Sequence, residues 1–142
     1  MITKKDIIKT WDIIAKHGGY SRSNWPRVSA FLKLKGSLLD IGCGNANYLK
    51  NTKAVGIDFS FETCKLAKKY IKVICADAAV LPIKSKSFER VLSKATLHIM
   101  PSKEDRLNLL KEVKRVLKAR GRAVITVFKG SEKINKKLGI KR

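Results

Sequence analysis

A doubly wound α/β sheet, mostly parallel, is the fold class this sequence predicts. Three observations carry it. Five short apolar runs have the continuous character of strands buried on both faces, helix-periodic segments lie between most of them, and a glycine-rich turn stands directly behind the first run. At 142 residues and 44% apolar content the chain holds one domain with a core of its own.

In chain order, residues 2–16 place Ile7, Trp11, Ile14 and Ala15 on one helical face, and Gly18-Gly19 ends that helix. The polar stretch YSRSNWP follows, then a second helical stretch with Val28, Phe31, Leu32 and Leu34. From residue 37 the period changes. Strands are predicted at 37–41, 54–58, 71–76, 90–93 and 123–128. A short helix is expected at 61–69. A long one is expected at 102–117, opened by the capping pair Ser102 and Asp105, faced by Leu107, Leu110, Val113 and Leu117, and stopped by Gly121. Alternating strands and helices imply right-handed βαβ units. Residues 1–128 form the predicted domain and 129–142 a basic tail, either a solvated end or part of a binding surface.

Charge is the strongest compositional signal. Lys and Arg number 32 against 11 Asp and Glu, a net +21. A surplus of that size repels itself unless a polyanion is near, so nucleic acid is the expected partner. A lysine-rich thermophile surface is the bland alternative, but such surfaces balance Lys with Glu. Cys43, Cys64 and Cys75 are far apart and form no C-x-x-C pair, which argues against a zinc knuckle or a disulfide framework. The N-terminus lacks the uninterrupted apolar block of a signal peptide or membrane span, and the expected location is the cytoplasm.

In a doubly wound sheet, ligands bind beyond the carboxyl ends of the strands. Here that position holds DIGCGNA, residues 40–46, where Gly42 and Gly44 leave no side chain between backbone and ligand. Asp58 ends the second strand, 18 positions after Asp40 and near the spacing at which a carboxylate reaches ribose hydroxyls; Asp77 ends the third. Three acids suit a cationic or zwitterionic nucleoside better than a pyrophosphate. A dinucleotide fingerprint requires glycine where Asn47 stands, and the G-K-[ST] of a P-loop is missing.

These residues resemble the class I S-adenosylmethionine-dependent methyltransferases over about residues 11–128. The resemblance implies that the turn at Asp40, Gly42 and Gly44 meets the amino-acid part of S-adenosylmethionine, with Ala46 replacing a third glycine. It implies that Asp58 in GIDFS holds the ribose and that Asp77 in ADAAVLP lies near the adenine, with Cys43, Phe59, Ala78 and Ser93 completing the cofactor set. Members of that class continue past the fifth strand into an antiparallel hairpin. With 14 residues after Phe128, the chain is expected to be a C-terminally short form of this Rossmann-like methyltransferase fold, with strands three and five as short, apolar edges.

YSRSNWPRVSAFL, DIGCGNANYL and SKATLHI narrow the resemblance to the tRNA wobble-uridine methyltransferases, which esterify a carboxymethyl group. A carboxylate acceptor needs no general base. Arg22, Tyr20 and His98 are the candidate catalytic groups that orient it, and Trp25 and Arg27 the candidate substrate contacts, against readings as surface charge, helix-face histidine and core. The N-P-P-[YF] motif of base-amino methylation is absent after strand four. The resemblance also implies tRNA as partner and a small zinc-ribbon activator protein or self-association; no metal site is expected in the chain itself. A small-molecule methyltransferase and a noncatalytic RNA-binding module remain the alternatives.

Overall fold

The first apolar run forms β1 (Leu38–Ile41), buried at every position, and its alternation sends Leu38 to one face of the sheet and Leu39 and Ile41 to the other. The structure, a computed structural model, describes residues 2–19 and 25–128. β1 pairs in parallel with β2 (Val55–Asp58) on one side and β4 (Phe88–Lys94) on the other, while β3 (Lys72–Cys75) and β5 (Leu117–Thr126) lie outside them, in the order β3-β2-β1-β4-β5. All five strands are parallel. Both expected edges, strands three and five, are the edges found.

Two apolar layers enclose the sheet. α2 (Pro26–Leu32) and α3 (Phe61–Ala67) contribute Val28, Phe31 and Ala67 to a cluster with Leu38, Leu49, Ile71 and Leu92. On the opposite face α4 (Lys103–Val116) packs Leu109, Val113 and Val116 against Leu39, Ile41, Ile57 and Val91. α1 (Lys4–Lys16) is opened by a Thr3–Asp6 capping box and docks on α3, whose first turn is held by α1's Asp12 accepting from Ser60 Oγ at 2.5 Å. The Ser102–Asp105 cap of α4 is present, with Asp105 N donating to Ser102 Oγ at 2.9 Å.

Three expectations are corrected. The buried stripe of α4 runs through Leu109, Val113 and Val116, while Leu107 and Leu110 face solvent. Gly121 does not stop the helix. α4 ends at Val116, and β5 begins at once, with Leu117 opposite Phe88 and Arg122 opposite Arg90, so four residues bulge out across from the single Glu89. Gly121 sits in that bulge, where a Cβ would lie 2.9 Å from both Leu117 Cδ2 and the Lys118 carbonyl. Strand five is therefore ten residues long rather than short, and its exposed Lys118, Arg120 and Arg122 make that stretch a charged edge. Asp77 follows β3, as the expected strand at 71–76 implies.

Two buried or clamped charges tie the helical layer to the amino ends of the strands. Arg90, 8% exposed, donates from Nη1 to the Phe31 carbonyl at 2.9 Å and from Nη2 to that of Gly36 at 2.6 Å, closing the C-terminus of α2. Glu89 accepts from Ser37 N at 2.6 Å, from the Ser37 hydroxyl, and from Lys118 Nζ at 2.5 Å. The Lys118 ammonium, then the Ser37 donors, hold the Glu89 carboxyl down at about 2, from an ordinary 4.5. A depressed carboxyl stabilises the fold above its unfolded pKa, and that contribution drains as pH falls through 4.5 toward about 2. Glu89→Gln should thus unfold with a shallower acid dependence than the parent across that window, as thermal melts followed by circular dichroism would measure. Identical slopes would remove Glu89 from the acid response.

Candidate functional site

Behind β1 the chain must turn sharply enough for its amides to reach the neighbouring strand. Gly42 (φ +73°) and Gly44 (φ +58°) take left-handed angles, as does Ala46 (φ +53°), the residue standing where the resemblance expects a third glycine. The turn is clasped by the end of β2. Gly42 N and Cys43 N both donate to the Ile57 carbonyl, at 2.7 and 2.9 Å, and Gly44 N donates to Asp58 Oδ2 at 3.0 Å. The other carboxylate oxygen of Asp58 accepts from Ser60 N at 3.1 Å. From the far side comes Thr96, whose hydroxyl donates to the Ile41 carbonyl at 3.2 Å. A Cβ on Gly42 would collide with that same hydroxyl.

The result is a cleft at the carboxyl edge of the sheet. Its floor is Gly42, Ile57, Asp58 and Phe59, its far wall Asp77 and Ala78, and its roof Ile99 and Met100. Lys4 and Ile7 of α1 close its mouth. Lys4 Nζ bridges two acids, Asp105 Oδ1 at 2.6 Å and Asp77 Oδ2 at 2.7 Å, while Asp77 Oδ1 accepts from Ala79 N at 2.8 Å. Hydrogen bonding to Asp105 and then Asp77 raises the Lys4 ammonium, and Lys4 followed by Ser102 lowers the Asp105 carboxyl.

Beside the cleft, where β1 and β4 end, Asp40 is fully buried and accepts from the Tyr48 hydroxyl. Lys94, 1% exposed, lies with its ammonium 4.6 Å from the Tyr48 ring centre and 5.7 Å from that of Trp25. Trp25 meets Phe128 edge to face at 5.4 Å, and His98 also meets Phe128 edge to face at 5.4 Å. His98 and Phe128 are exposed, and Trp25 is half-buried.

Of the residues singled out from sequence, Gly42, Asp58, Phe59, Asp77 and Ala78 line the cleft. Asp40, Cys43 and Gly44 are buried beneath it, supporting the turn. Ser93 is fully buried and does not reach the cleft wall; its hydroxyl has no hydrogen-bond partner among the described residues. Trp25 is half-buried against Phe128, and Arg27 is exposed on the first turn of α2. Tyr20 and Arg22 lie outside the described residues, as does the tail from residue 129. Sequence reasoning missed Lys4, Ile7, Tyr48, Lys94 and Thr96. The last three sit within the quoted motifs DIGCGNANYL and SKATLHI, but nothing in the spacing of Lys4 or Ile7 marks them.

Residues 39–125 match the family described as a methyltransferase domain. A tRNA (carboxymethyluridine(34)-5-O)-methyltransferase of Arabidopsis thaliana is 35% identical over 135 residues, covering 89% of this chain and 33% of that protein. The chain therefore spans about a third of that curated relative. A SAM-dependent methyltransferase from Methanosarcina mazei superposes with a TM-score of 0.60 at 26% identity, covering 68% of this chain and 54% of that one. The complex between the Haloferax volcanii Trm112 methyltransferase activator and a methyltransferase contains a similar fold, with a TM-score of 0.64, 21% identity, and coverage of 82% and 56%.

The contact between Thr96 and the glycine turn gives a test independent of any ligand. Gly42→Ala should cost about 2–4 kcal/mol of stability, combining left-handed strain with the collision. With Thr96→Ala already in place the same change should cost only about 1–2 kcal/mol, the strain alone. Additive effects in chemical denaturation of the four proteins would show that Thr96 does not fix the turn.

Proposed function

The chain belongs to the methyltransferase-domain family, and from that premise we propose that it transfers the methyl group of S-adenosylmethionine to the side-chain carboxylate of a carboxymethyluridine at the wobble position of tRNA. The observation that carries the acceptor is the likeness to the Arabidopsis enzyme over 89% of this chain. The net charge of +21 supports a polyanionic substrate.

The residues of the cleft suit the cofactor. The glycine floor admits a ligand against the backbone where a Cβ at residue 42 would strike Thr96, and the acids suit a sulfonium-bearing, zwitterionic nucleoside. In this reading Asp58 receives the ribose hydroxyls, Asp77 lies by the adenine, and the turn from Gly42 to Gly44 faces the amino-acid part. Among the described residues the Asp58 carboxylate accepts from Gly44 N and Ser60 N, and the Asp77 carboxylate from Lys4 Nζ and Ala79 N. S-adenosylmethionine supplies, when bound, a methyl group on an activated sulfonium.

Because a carboxylate is nucleophilic at neutral pH, the protein's work is orientation and exclusion of water. The aromatic trio of Trp25, Phe128 and His98 offers the uracil a stacking surface beside the cleft. Arg22, Tyr20 and His98 are proposed to aim the carboxylate, and Arg27 to meet the backbone of the anticodon loop. Cationic donors hold a carboxylate by charge-assisted hydrogen bonds, which fixes the attacking oxygen in line. We extend the proposal to a cytoplasmic setting and to a zinc-ribbon activator, or a second copy, at the β3 or β5 edge; the fold shared with the chain in the Haloferax complex supports the idea of such a partner.

The test is a methyl-transfer assay on tRNA carrying carboxymethyluridine, with nucleosides resolved by mass spectrometry and an activator protein added or withheld. The expected product is the methyl ester at that one nucleoside, with a higher rate when the activator is present. Methyl transfer to small carboxylic acids but not to tRNA would contradict the proposed substrate.

A further inference from the structure

The edge of the sheet opposite the cleft carries a different kind of surface. At the amino ends of β2 and β3 a depression is lined by Lys53, Lys68, Lys69 and Lys72, with half-exposed Tyr70 among them. It shares Thr52, Lys53 and Ala54 with a second depression beneath β1, which in turn shares Arg90 with a third, lined by Lys35, Arg120 and Arg122. The three form one furrow under all five strands. Glu89 is the furrow's one acid, and it is already clamped by Lys118 and Ser37. Among the described residues none of the seven exposed furrow cations takes part in an ion pair.

Seven cations held by strand ends and short turns, with Glu89 already clamped by Lys118, cost self-repulsion that an anionic ligand relieves. Four strand spacings of about 4.8 Å make the furrow about 19 Å long. Arg90 to Lys94 is four residues of strand, so about 13 Å separates the furrow from the buried end of β4 beside the cleft. A folded RNA is wide enough to touch both edges of so thin a sheet.

We propose that this amino-edge furrow is a second RNA-binding site, which grips the phosphodiester backbone of the substrate tRNA away from the reacting nucleoside. The proposal rests on the reading of the substrate as tRNA. Phosphate contacts of this kind set affinity and register without reading sequence.

The experiment compares the parent protein with Lys53→Ala/Lys69→Ala/Lys72→Ala in the furrow and with a control of equal charge, Lys103→Ala/Lys111→Ala/Lys114→Ala on the solvent side of α4. Fluorescence anisotropy of labelled tRNA against salt, calorimetry of S-adenosylmethionine, and steady-state methyl transfer are measured for each. The furrow variant should lose about two to three units of the log K against log[salt] slope and raise KM for tRNA about tenfold or more, with cofactor affinity and kcat unchanged, while the control moves little. Equal losses in both triple variants, an unchanged slope in the furrow variant, failure of the parent to bind tRNA at low salt, or a furrow-dependent affinity for polyglutamate but not for tRNA would each overturn the site. Furrow-dependent tRNA binding without methyl transfer would uphold the furrow and sink the substrate reading; methyl transfer with an unaltered slope in the furrow variant would do the reverse.

Discussion

Everything functional in this protein hangs on how the end of β2 holds the turn after β1. Ile57 offers one carbonyl to two successive amides, Gly42 and Cys43, and Asp58 adds a carboxylate to a third, Gly44. The parallel register of β1 and β2, with Ile41 opposite Ile57, brings those groups level with each other. A carboxylate accepting backbone amides is one of the stronger hydrogen-bond arrangements available, and its partner strand is fully buried. The same acid that shapes the turn therefore also lines the cleft.

Around this clasp the charges are sorted along the strand axis. The acids Asp40, Asp58 and Asp77 gather at the carboxyl edge, where Lys4 spans Asp77 and Asp105 and ties α1 down over the cleft. Cations gather at the amino edge, with Arg90 spent on the carbonyls of α2 and the rest exposed. A chain of net +21 thus still places two acids, Asp58 and Asp77, in the lining of its cleft. Under the proposed function, this separation would let one small sheet hold a positively charged nucleoside and a polyanion without either competing for the other's contacts.

The strands, their parallel direction and the glycine turn were legible in the sequence because alternating apolar runs and helices, with glycine at a strand end, have few other meanings; the order of the strands followed only from the resemblance to the class I methyltransferases. The α4 face was not. Leu107 and Leu110 have helical spacing as good as that of Leu109, Val113 and Val116, and only the docking angle on β1 and β4 decides which set is buried. Gly121 looked like a helix stop because a bulge glycine and a C-terminal glycine leave the same mark in a sequence. The cleft residues near Asp58 and Asp77 could be read from strand ends, whereas Lys4 and Ile7 enter the cleft through the docking of a separate helix, which no local pattern encodes. Lys94, buried between the rings of Tyr48 and Trp25, is likewise set by tertiary contact.

The central claim is that Asp58 is both the clasp of the turn and the anchor of the cofactor. Calorimetric titration of S-adenosylmethionine into Asp58→Ala, checked by circular dichroism for an intact fold, tests it most directly. Loss of a charged hydrogen bond worth roughly 1.5–3 kcal/mol should weaken binding about 10–100-fold. A folded variant that binds S-adenosylmethionine as tightly as the parent would contradict it.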